Sequence, residues 1–379
     1  MKKLKVLHIA PWFPNEENSV EGIFVWEHIK SLSPYVENKV VHLRFGDKQK
    51  KIDFKLEDTV INQITIKPII DKWIFKEKKA AKVVDQIIAE HKNECDIINF
   101  HIAYPNAIKI GRLKEKYSKL KFVITEHWTA YHYNFNLADD SSGKKRMANM
   151  FHHNIPVITV SSALKEDIQK FSNSVDYPTH IVPNVIRTDI FEYKPKEESE
   201  NFTFTSINNW NPMKNPTVLI RAFHQIALKN QHVRLILGGD GILIPKMKKL
   251  VEELGLSAKV EFIGRISKKE VAAQLQECNV YVQSSNYETF SVICAEAIAT
   301  GTPVITTKIG GVLDFIDDSK GILVSDMEID NWVKAMEKLM HDFSIFNCSE
   351  ISQKAHEMFN IEAVGKRYFE VLKAIKNEG

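Results

Sequence analysis

Cysteine is scarce in this chain. Cys95, Cys278, Cys294 and Cys348 are the only four, and no two of them are close in sequence. That scatter excludes a disulfide-stapled scaffold or a clustered zinc site and suits buried thiols in a reducing compartment. Long apolar runs are also missing, since none approaches the roughly 18 residues of a membrane span. The N-terminal MKKLKVLHIAPWFPNEE sets two lysines before an apolar stretch of only about seven residues, too short for an export signal. That stretch contains His8 and runs into Pro11 and Pro14, so it reads as a first buried strand. The expected location is the cytoplasm. There are no short internal repeats and no low-complexity segments. The fourteen histidines show no metal-ligand spacing, and His152–His153 reads as surface.

Charge imbalance is nearly absent overall, 51 Lys and Arg against 48 Asp and Glu for a net of only +3, but the two signs are unevenly spread. Residues 1–190 carry 29 Lys and Arg against 23 Asp and Glu; the remainder carries 22 against 25. A basic first half fits an anionic partner, or merely lysine-rich solvated helices. At 44% hydrophobic and 26% charged residues the chain is globular rather than disordered. With 379 residues it is long enough to split into two domains.

Short apolar runs alternate with longer stretches of helical period, the pattern of parallel sheets covered on both faces. Strand candidates in the first half are KVLHIA, KVVHLRF, DIINFHI, KFVITEH, PVITVS and HIVPN. The piece FKLEDTVINQITIKP breaks this rhythm and reads as an inserted hairpin. Residues 192–201, EYKPKEESEN, are polar, charged and contain Pro195, and read as a linker. Beyond it the rhythm restarts with FTFTSI, and with a helix for which Asn215 is the expected N-cap and Pro216 the first residue. The fold class is therefore α/β, with two Rossmann-like, doubly wound parallel-sheet domains. Ligands of such sheets bind beyond the carboxyl ends of the strands, and with two domains the cleft between them is the expected site.

The stretch SSNYETFSVICAEAIATGTPVITTKIGG sits at such a strand end. Thr289 or Ser291 can cap a helix running to about Thr300, with Gly301 left-handed at its end and Pro303 preventing continuation. The amides of Phe290, Ser291 and Val292 would then be unpaired and suited to a phosphate. Glu296, about one and a half turns in, and Glu288, just ahead of the helix, can each accept sugar hydroxyls. Two glutamates eight residues apart are equally compatible with a solvated helix face. Together with the amides, they describe a nucleotide-sugar site.

The run ETFSVICAEAIATGTPVITTKIGGVLDFI resembles the C-terminal signature of family-4 glycosyltransferases. Other segments follow in family order: HIAPWFPNEENSVEGIFVWEHIKSL, FHIAYPNA, VITEHWTAY, TVSSALKEDI, IVPNVIRTDIF, LGGDG and VEFIGRISKKEV. The resemblance covers nearly the whole chain, and residues 46–82 are its least diagnostic part. It implies the GT-B fold, with an acceptor-binding domain at 1–191, a linker at 192–201 and a nucleotide-sugar-binding domain at 202–355. A C-terminal helix at 356–379 is expected to pack on the N-terminal domain. It further implies retaining transfer from a nucleotide-diphosphate sugar, UDP-linked or GDP-linked, to a glycan, polysaccharide or lipid-linked acceptor of the cell envelope.

By the same resemblance, Glu296 binds ribose hydroxyls, Glu288 the donor sugar, and Lys214 the phosphates. The arginine usual five or six positions before that lysine is replaced by Asn208 and Asn209, with Arg265 as a substitute cation. Arg265, after Gly264, is also the candidate to stack on the base. His127 matches the active-site histidine. His101, Tyr104 and Trp128 fall on the acceptor side, and Gly22 in a phosphate- or acceptor-approaching loop. No Asp-x-Asp pair occurs, which suits metal-independent chemistry, and no cofactor or nucleic-acid partner is expected. The missing arginine leaves open a catalytically weak subunit that only binds nucleotide-sugar, and the fold leaves open a sugar-nucleotide epimerase. DKWIFKEKKAAKVV interleaves Trp73, Ile74 and Phe75 with lysines, as peripheral contact with an anionic inner membrane face would require.

Overall fold

The computed structural model describes residues 3–68, 73–196 and 199–378, the side chain of Trp73 excepted. The chain forms two compact units, Met1–Val185 with Ile361–Gly379 in one and Ile186–Asn360 in the other.

The first unit runs β1 Leu4–Ala10, α1 Ile23–Leu32, β2 Val36–Phe45, β3 Lys50–Leu56, β4 Thr59–Ile66 and α2 Trp73–His91. It continues with β5 Ile97–His101, α3 Ile110–Lys116, β6 Lys121–Glu126, α4 Ser142–Ala148, β7 Val157–Thr159, α5 Ser162–Ser172 and β8 Thr179–Ile181. Its sheet has the order β3-β4-β2-β1-β5-β6-β7-β8. Every pairing is parallel except β3 with β4, the inserted hairpin, which extends one edge. The central strands are short and apolar on both faces, as strands covered by helices on both sides must be.

The second unit runs β9 Phe202–Asn209, α6 Pro216–Lys229, β10 Val233–Asp240, α7 Ile244–Glu253, β11 Val260–Gly264, α8 Lys268–Glu277 and β12 Val280–Gln283. After these come α9 Val292–Ala299, β13 Val304–Thr307, β14 Gly321–Val324, α10 Ile329–His341 and α11 Cys348–Phe359. The sheet is wholly parallel in the order β11-β10-β9-β12-β13-β14. Chain direction across the sheet therefore reverses between β9 and β12. A crevice opens at such a reversal, because the loops after the two strands leave toward opposite faces.

The last helix, α12 Ile361–Asn377, returns to the first unit. Its apolar stripe Val364, Tyr368, Leu372 and Ile375 is buried against Val6, Ile97, Val123 and Ile158. The boundary expected at 356 falls within α11, and extended Asn360 (φ −62°, ψ 159°) separates α11 from α12. The Tyr368 hydroxyl accepts from Asn99 Nδ2 (2.7 Å) and lies 2.7 Å from Thr125 Oγ1, deep under the sheet. Tyr368→Phe leaves both groups short of a partner. It is expected to lower unfolding free energy by about 1–3 kcal/mol, read by urea denaturation.

The stretch expected as a linker is, as far as Lys196, packed into the second unit. Gln276 Nε2 donates to the Glu192 carbonyl (2.8 Å). Lys196 Nζ donates to the carbonyls of Leu275, Gln276 and Cys278 and to Thr302 Oγ1. Burial holds its pKa below the usual lysine value. Glu197 and Glu198 lie outside the described residues.

Candidate functional site

At the β9–β12 reversal, Lys214 closes a short 3₁₀ turn after β9, and Glu288 sits in the loop after β12. Lys214 Nζ meets Glu288 Oε1 at 2.5 Å, with both side chains mostly buried. The same oxygen accepts from Gln283 Nε2 at 2.5 Å. Ser284 Oγ donates to the Lys214 and Asn215 carbonyls, and the Asn286 amide to the Met213 carbonyl, so the two loops are laced together. Asn215 does not cap α6 with its side chain; it is left-handed (φ 42°) and turns the chain between the 3₁₀ turn and the helix.

α9 begins at Val292 and ends in left-handed Gly301. Ser291 is its N-cap by position, but its hydroxyl donates to Gln283 Oε1 (3.2 Å) and makes no cap bond. Among the described residues, the amides of Phe290, Ser291 and Val292 have no intramolecular acceptor. The Phe290 ring points inward, 5.1 Å from Phe315 and 5.5 Å from Phe359, and anchors the loop so that its backbone can face a ligand. Gly310 and Gly311 press on this same loop. A Cβ at Gly310 would stand 2.1 Å from the Glu288 carbonyl oxygen, and one at Gly311 2.0 Å from that of Thr289. Their bareness is used by the protein's own backbone, and the Gly311 amide donates to the Glu288 carbonyl (2.8 Å).

Glu296 lies on the buried side of α9, 6% exposed, with Lys268 Nζ 3.7 Å from Oε1. Burial raises its pKa to about 7 against the opposing pull of Lys268. Arg265 is exposed beyond Gly264 at the end of β11, and its Nε and Nη2 both donate to Asp240 Oδ2 (3.0 and 2.6 Å). Asn209 is exposed at the end of β9, in register with Asp240. The second unit thus joins Lys214, Glu288 and the start of α9 directly. Arg265 is held separately by Asp240.

In the first unit the histidine positions are more enclosed than the sequence implied. His101 is wholly buried, with Nε2 3.0 Å from His8 Nδ1 and 3.2 Å from Asn99 Nδ2. It cannot face a cleft; it stacks behind His127 at 6.3 Å. Strand alternation explains this, because the side chains at 99 and 101 both point under the sheet. His127, 7% exposed, lies 4.8 Å from Phe24 and 5.1 Å from His28. Neither of its ring nitrogens has a partner of normal hydrogen-bond geometry, although Asn184 is near enough to favour the charged form weakly. Tyr104 points its hydroxyl at buried Glu77 (3.3 Å), which Arg146 grips through Nε (2.8 Å) and Nη2 (3.2 Å). Trp128 is half-buried beside Trp12. Gly22 is left-handed (φ 59°) at the start of α1, and its bare side is filled by the Trp12 backbone, at 2.5 Å from a notional Cβ. The expected approach of a ligand to that side is therefore blocked.

These histidines make the fold sensitive to acid. Burial lowers His8, His28 and His42 to about 4, and holds His101 and His127 well below the usual value. As pH falls from about 6.5, the unfolded chain binds protons that the folded rings refuse, so stability is lost on the way to about 4. Glu126 and Glu296, each raised to about 7 by burial, act oppositely between about 7 and 4.5. Five rings outweigh two carboxyls. Unfolding free energy is expected to drop by at least ~3 kcal/mol between pH 6.5 and 4, followed by circular dichroism.

Two organising residues escaped the sequence reading. Gln283 ties Glu288, Ser285 and Ser291 together from the end of β12. Buried Glu126 accepts from the Ala103 amide (2.7 Å), the Tyr131 hydroxyl (2.7 Å) and the His127 amide (3.2 Å). The available signal was one polar residue at the end of each apolar run, in VYVQ and KFVITE.

Two doubly wound parallel sheets, the second with a cation, a carboxylate and unpaired helix amides at its reversal point, make up the GT-B architecture. Residues 187–358, most of the second unit, match the family described as "Glycosyl transferases group 1". The chain is 25% identical over 252 residues to an uncharacterized glycosyltransferase of Methanocaldococcus jannaschii, covering 62% of this chain and 64% of that one. Alignments span 47% to 64% of the lengths of such curated relatives. Among solved structures it is similar to sucrose-phosphate synthase from Thermosynechococcus elongatus (TM-score 0.76, 17% identity, 98% of this chain and 99% of that one). It is also similar to Anabaena HepE in complex with UDP and glucose (TM-score 0.72, 15% identity, 98% and 100%). Among the described residues no helix is long and apolar enough to cross a membrane.

Proposed function

We propose that this chain is a family-4, retaining glycosyltransferase acting on a nucleoside-diphosphate sugar, UDP-linked or GDP-linked. The observation that carries the reading is the Lys214–Glu288 pair beside the open amides of α9 at the β9–β12 reversal. The donor's diphosphate would take Lys214 from Glu288 and accept from the amides of Phe290, Ser291 and Val292. Glu288, released, turns to the hydroxyls of the donor sugar, and Glu296 takes those of the ribose. The bond from the anomeric carbon to the β-phosphate oxygen breaks while a bond to the acceptor hydroxyl forms. The acceptor proton passes to the departing phosphate on the same face. Lys214 and the helix amides stabilise the charge that grows on that oxygen, which needs no metal. Arg265, with Gly264 giving access, would stack on the base, and Asn209 would line the phosphate turn. His127 would sit near the transferring sugar. The acceptor is a glycan, polysaccharide or lipid-linked saccharide of the cell envelope, handled in the cytoplasm.

The test is incubation of the purified chain with a panel of UDP- and GDP-sugars, following nucleoside diphosphate release and thermal shift together. Slow release from one donor supports the reading. A thermal shift without release favours a catalytically weak, donor-binding role beside another transferase; uncharged Asn208 and Asn209 in the phosphate turn suggest that reading. An epimerised sugar-nucleotide would indicate epimerase chemistry, and no shift and no release would contradict all three.

Membrane contact is proposed on a smaller basis. Ile74 and Phe75 are exposed on α2 near Lys78 and Lys82. Asp71, Lys72 and the Trp73 side chain of the same motif lie outside the described residues. Cosedimentation with anionic vesicles is expected at low salt and reduced at physiological salt; no binding at either contradicts it.

A further inference from the structure

β12, otherwise apolar and aromatic, ends on an amide, and Gln283 is only 1% exposed. A buried amide must satisfy two N–H donors and one carbonyl oxygen, and here the two ends are met by different elements. Nε2 donates to Glu288 Oε1 (2.5 Å) and Ser285 Oγ (3.1 Å) in the loop after the strand. Oε1 accepts from the Ser291 hydroxyl at the head of α9 (3.2 Å) and from the Cys294 thiol within it (3.4 Å). The Tyr281 hydroxyl lies 3.2 Å from the same oxygen. Turning the amide over would set its oxygen against the Glu288 carboxylate, so the orientation is fixed by charge.

Each end holds a group that needs holding. Glu288 Oε1 is met by Lys214 Nζ and by Gln283 Nε2. A diphosphate that draws Lys214 away leaves Gln283 still gripping the carboxylate. Ser291 is left-handed (φ 66°, ψ 78°), which is uncommon for a residue with a Cβ. Gln283 Oε1 ties it from one side, and the neighbouring Phe290 ring, packed on Phe315 and Phe359, anchors the other. An aliphatic side chain at 283 would suit the burial equally well but would hold neither group.

Resting on the proposed transferase reading, we infer that Gln283 is a positioning residue of the reaction. Its Nε2 keeps Glu288 aimed at the donor sugar after the diphosphate has taken Lys214, and its Oε1 holds Ser291 so that the first amides of α9 stay open to that diphosphate. Sugar and diphosphate are thus set in register by a side chain that touches neither.

Gln283→Glu tests this, because a protonated carboxyl can donate to Glu288 and accept from Ser291 as the amide does. An ionised one cannot donate and repels Glu288. The ionisable groups around it are Glu288, Lys214, Tyr281 and Cys294, and burial raises the pKa of the Tyr281 hydroxyl and the Cys294 thiol. Dividing each rate by that of wild type at the same pH removes the titration of Glu296. The full chain is assayed from pH 5.5 to 8.5 with UDP-glucose, UDP-galactose, UDP-N-acetylglucosamine and GDP-mannose, following nucleoside diphosphate release. Calorimetry with UDP and GDP gives the fraction of competent chain. At pH 8.5, Gln283→Glu and Gln283→Leu should each release product about 10–100-fold more slowly than wild type. At pH 5.5 Gln283→Glu should return to near the wild-type rate, while Gln283→Leu stays slow. If wild type binds a donor without releasing product, the same pattern should appear in donor affinity. Wild-type behaviour of Gln283→Leu, or a deficit in Gln283→Glu that does not change with pH, overturns the proposal and leaves the transferase reading standing. Neither binding nor release by wild type removes that reading, and the proposal with it.

Discussion

Lys214→Ala is expected to lower turnover of the donor by about 10²–10³-fold, the loss of ~3–4 kcal/mol typical of removing one group that stabilises transition-state charge. Lys214 is the cation in direct contact with the Glu288 loop, and Asn208 and Asn209 supply none beside it. Arg265 cannot replace it without first leaving Asp240. The fold should survive, because Glu288 keeps Gln283 Nε2 as a partner when the lysine is gone. Lys214→Arg should recover only part of the rate, since a planar guanidinium replaces a compact point charge on a shorter donor path. The measurement is single-turnover nucleoside diphosphate release over a range of donor concentrations up to saturation. Loss confined to KM would mean that Lys214 binds the ground state only.

Glu296→Gln should separate stability from function. The carboxyl's pKa is raised from 4.5 to about 7 because ionising it inside α9 is unfavourable. The unfolded chain therefore releases this proton at lower pH than the folded one. Its contribution to stability is complete below about 4.5 and is lost as pH rises through about 7. At pH 8 the ionised group costs about 3 kcal/mol, which glutamine, of the same shape and uncharged, should recover as a higher melting temperature. At pH 4.5 that gain should vanish. Nucleotide binding should move the other way, weakening by about tenfold or more when an ionised acceptor of two hydroxyls is replaced. Wild-type affinity should likewise fall below pH 7 as Glu296 takes up its proton. A variant both stabilised and binding normally would remove Glu296 from the site.

Much of the framework was legible because buried parallel strands are short apolar runs and their ends are where chemistry gathers. That reasoning placed Glu288 beyond a strand end and stopped α9 before Gly301 and Pro303, as observed; Lys214 came from the family resemblance. It missed α4 and α11, whose sequences SGKKRMA and CSEISQKAHEMF are polar along most of their length. In α11 only Ile351, Ser352, Ala355 and Phe359 turn inward. Ser291 has the residue type of a cap, but Gln283, brought from eight positions away, takes its hydroxyl. His101 was placed on the acceptor side by the family resemblance of its motif. Which side of β5 it occupies depends on His8 and Tyr368, neither of them near it in sequence. Local pattern fixes where a strand stops; tertiary partners decide which way its last side chains point.

Calorimetric titration of the purified chain with a nucleoside and with its diphosphate, uridine against UDP and guanosine against GDP, tests the central claim most directly. If Lys214 and the first amides of α9 form a diphosphate cradle, one diphosphate should bind at least a hundredfold more tightly than its nucleoside, and Lys214→Ala should erase most of the difference. Equal affinity of nucleoside and diphosphate, or a difference untouched by Lys214→Ala, would contradict the account.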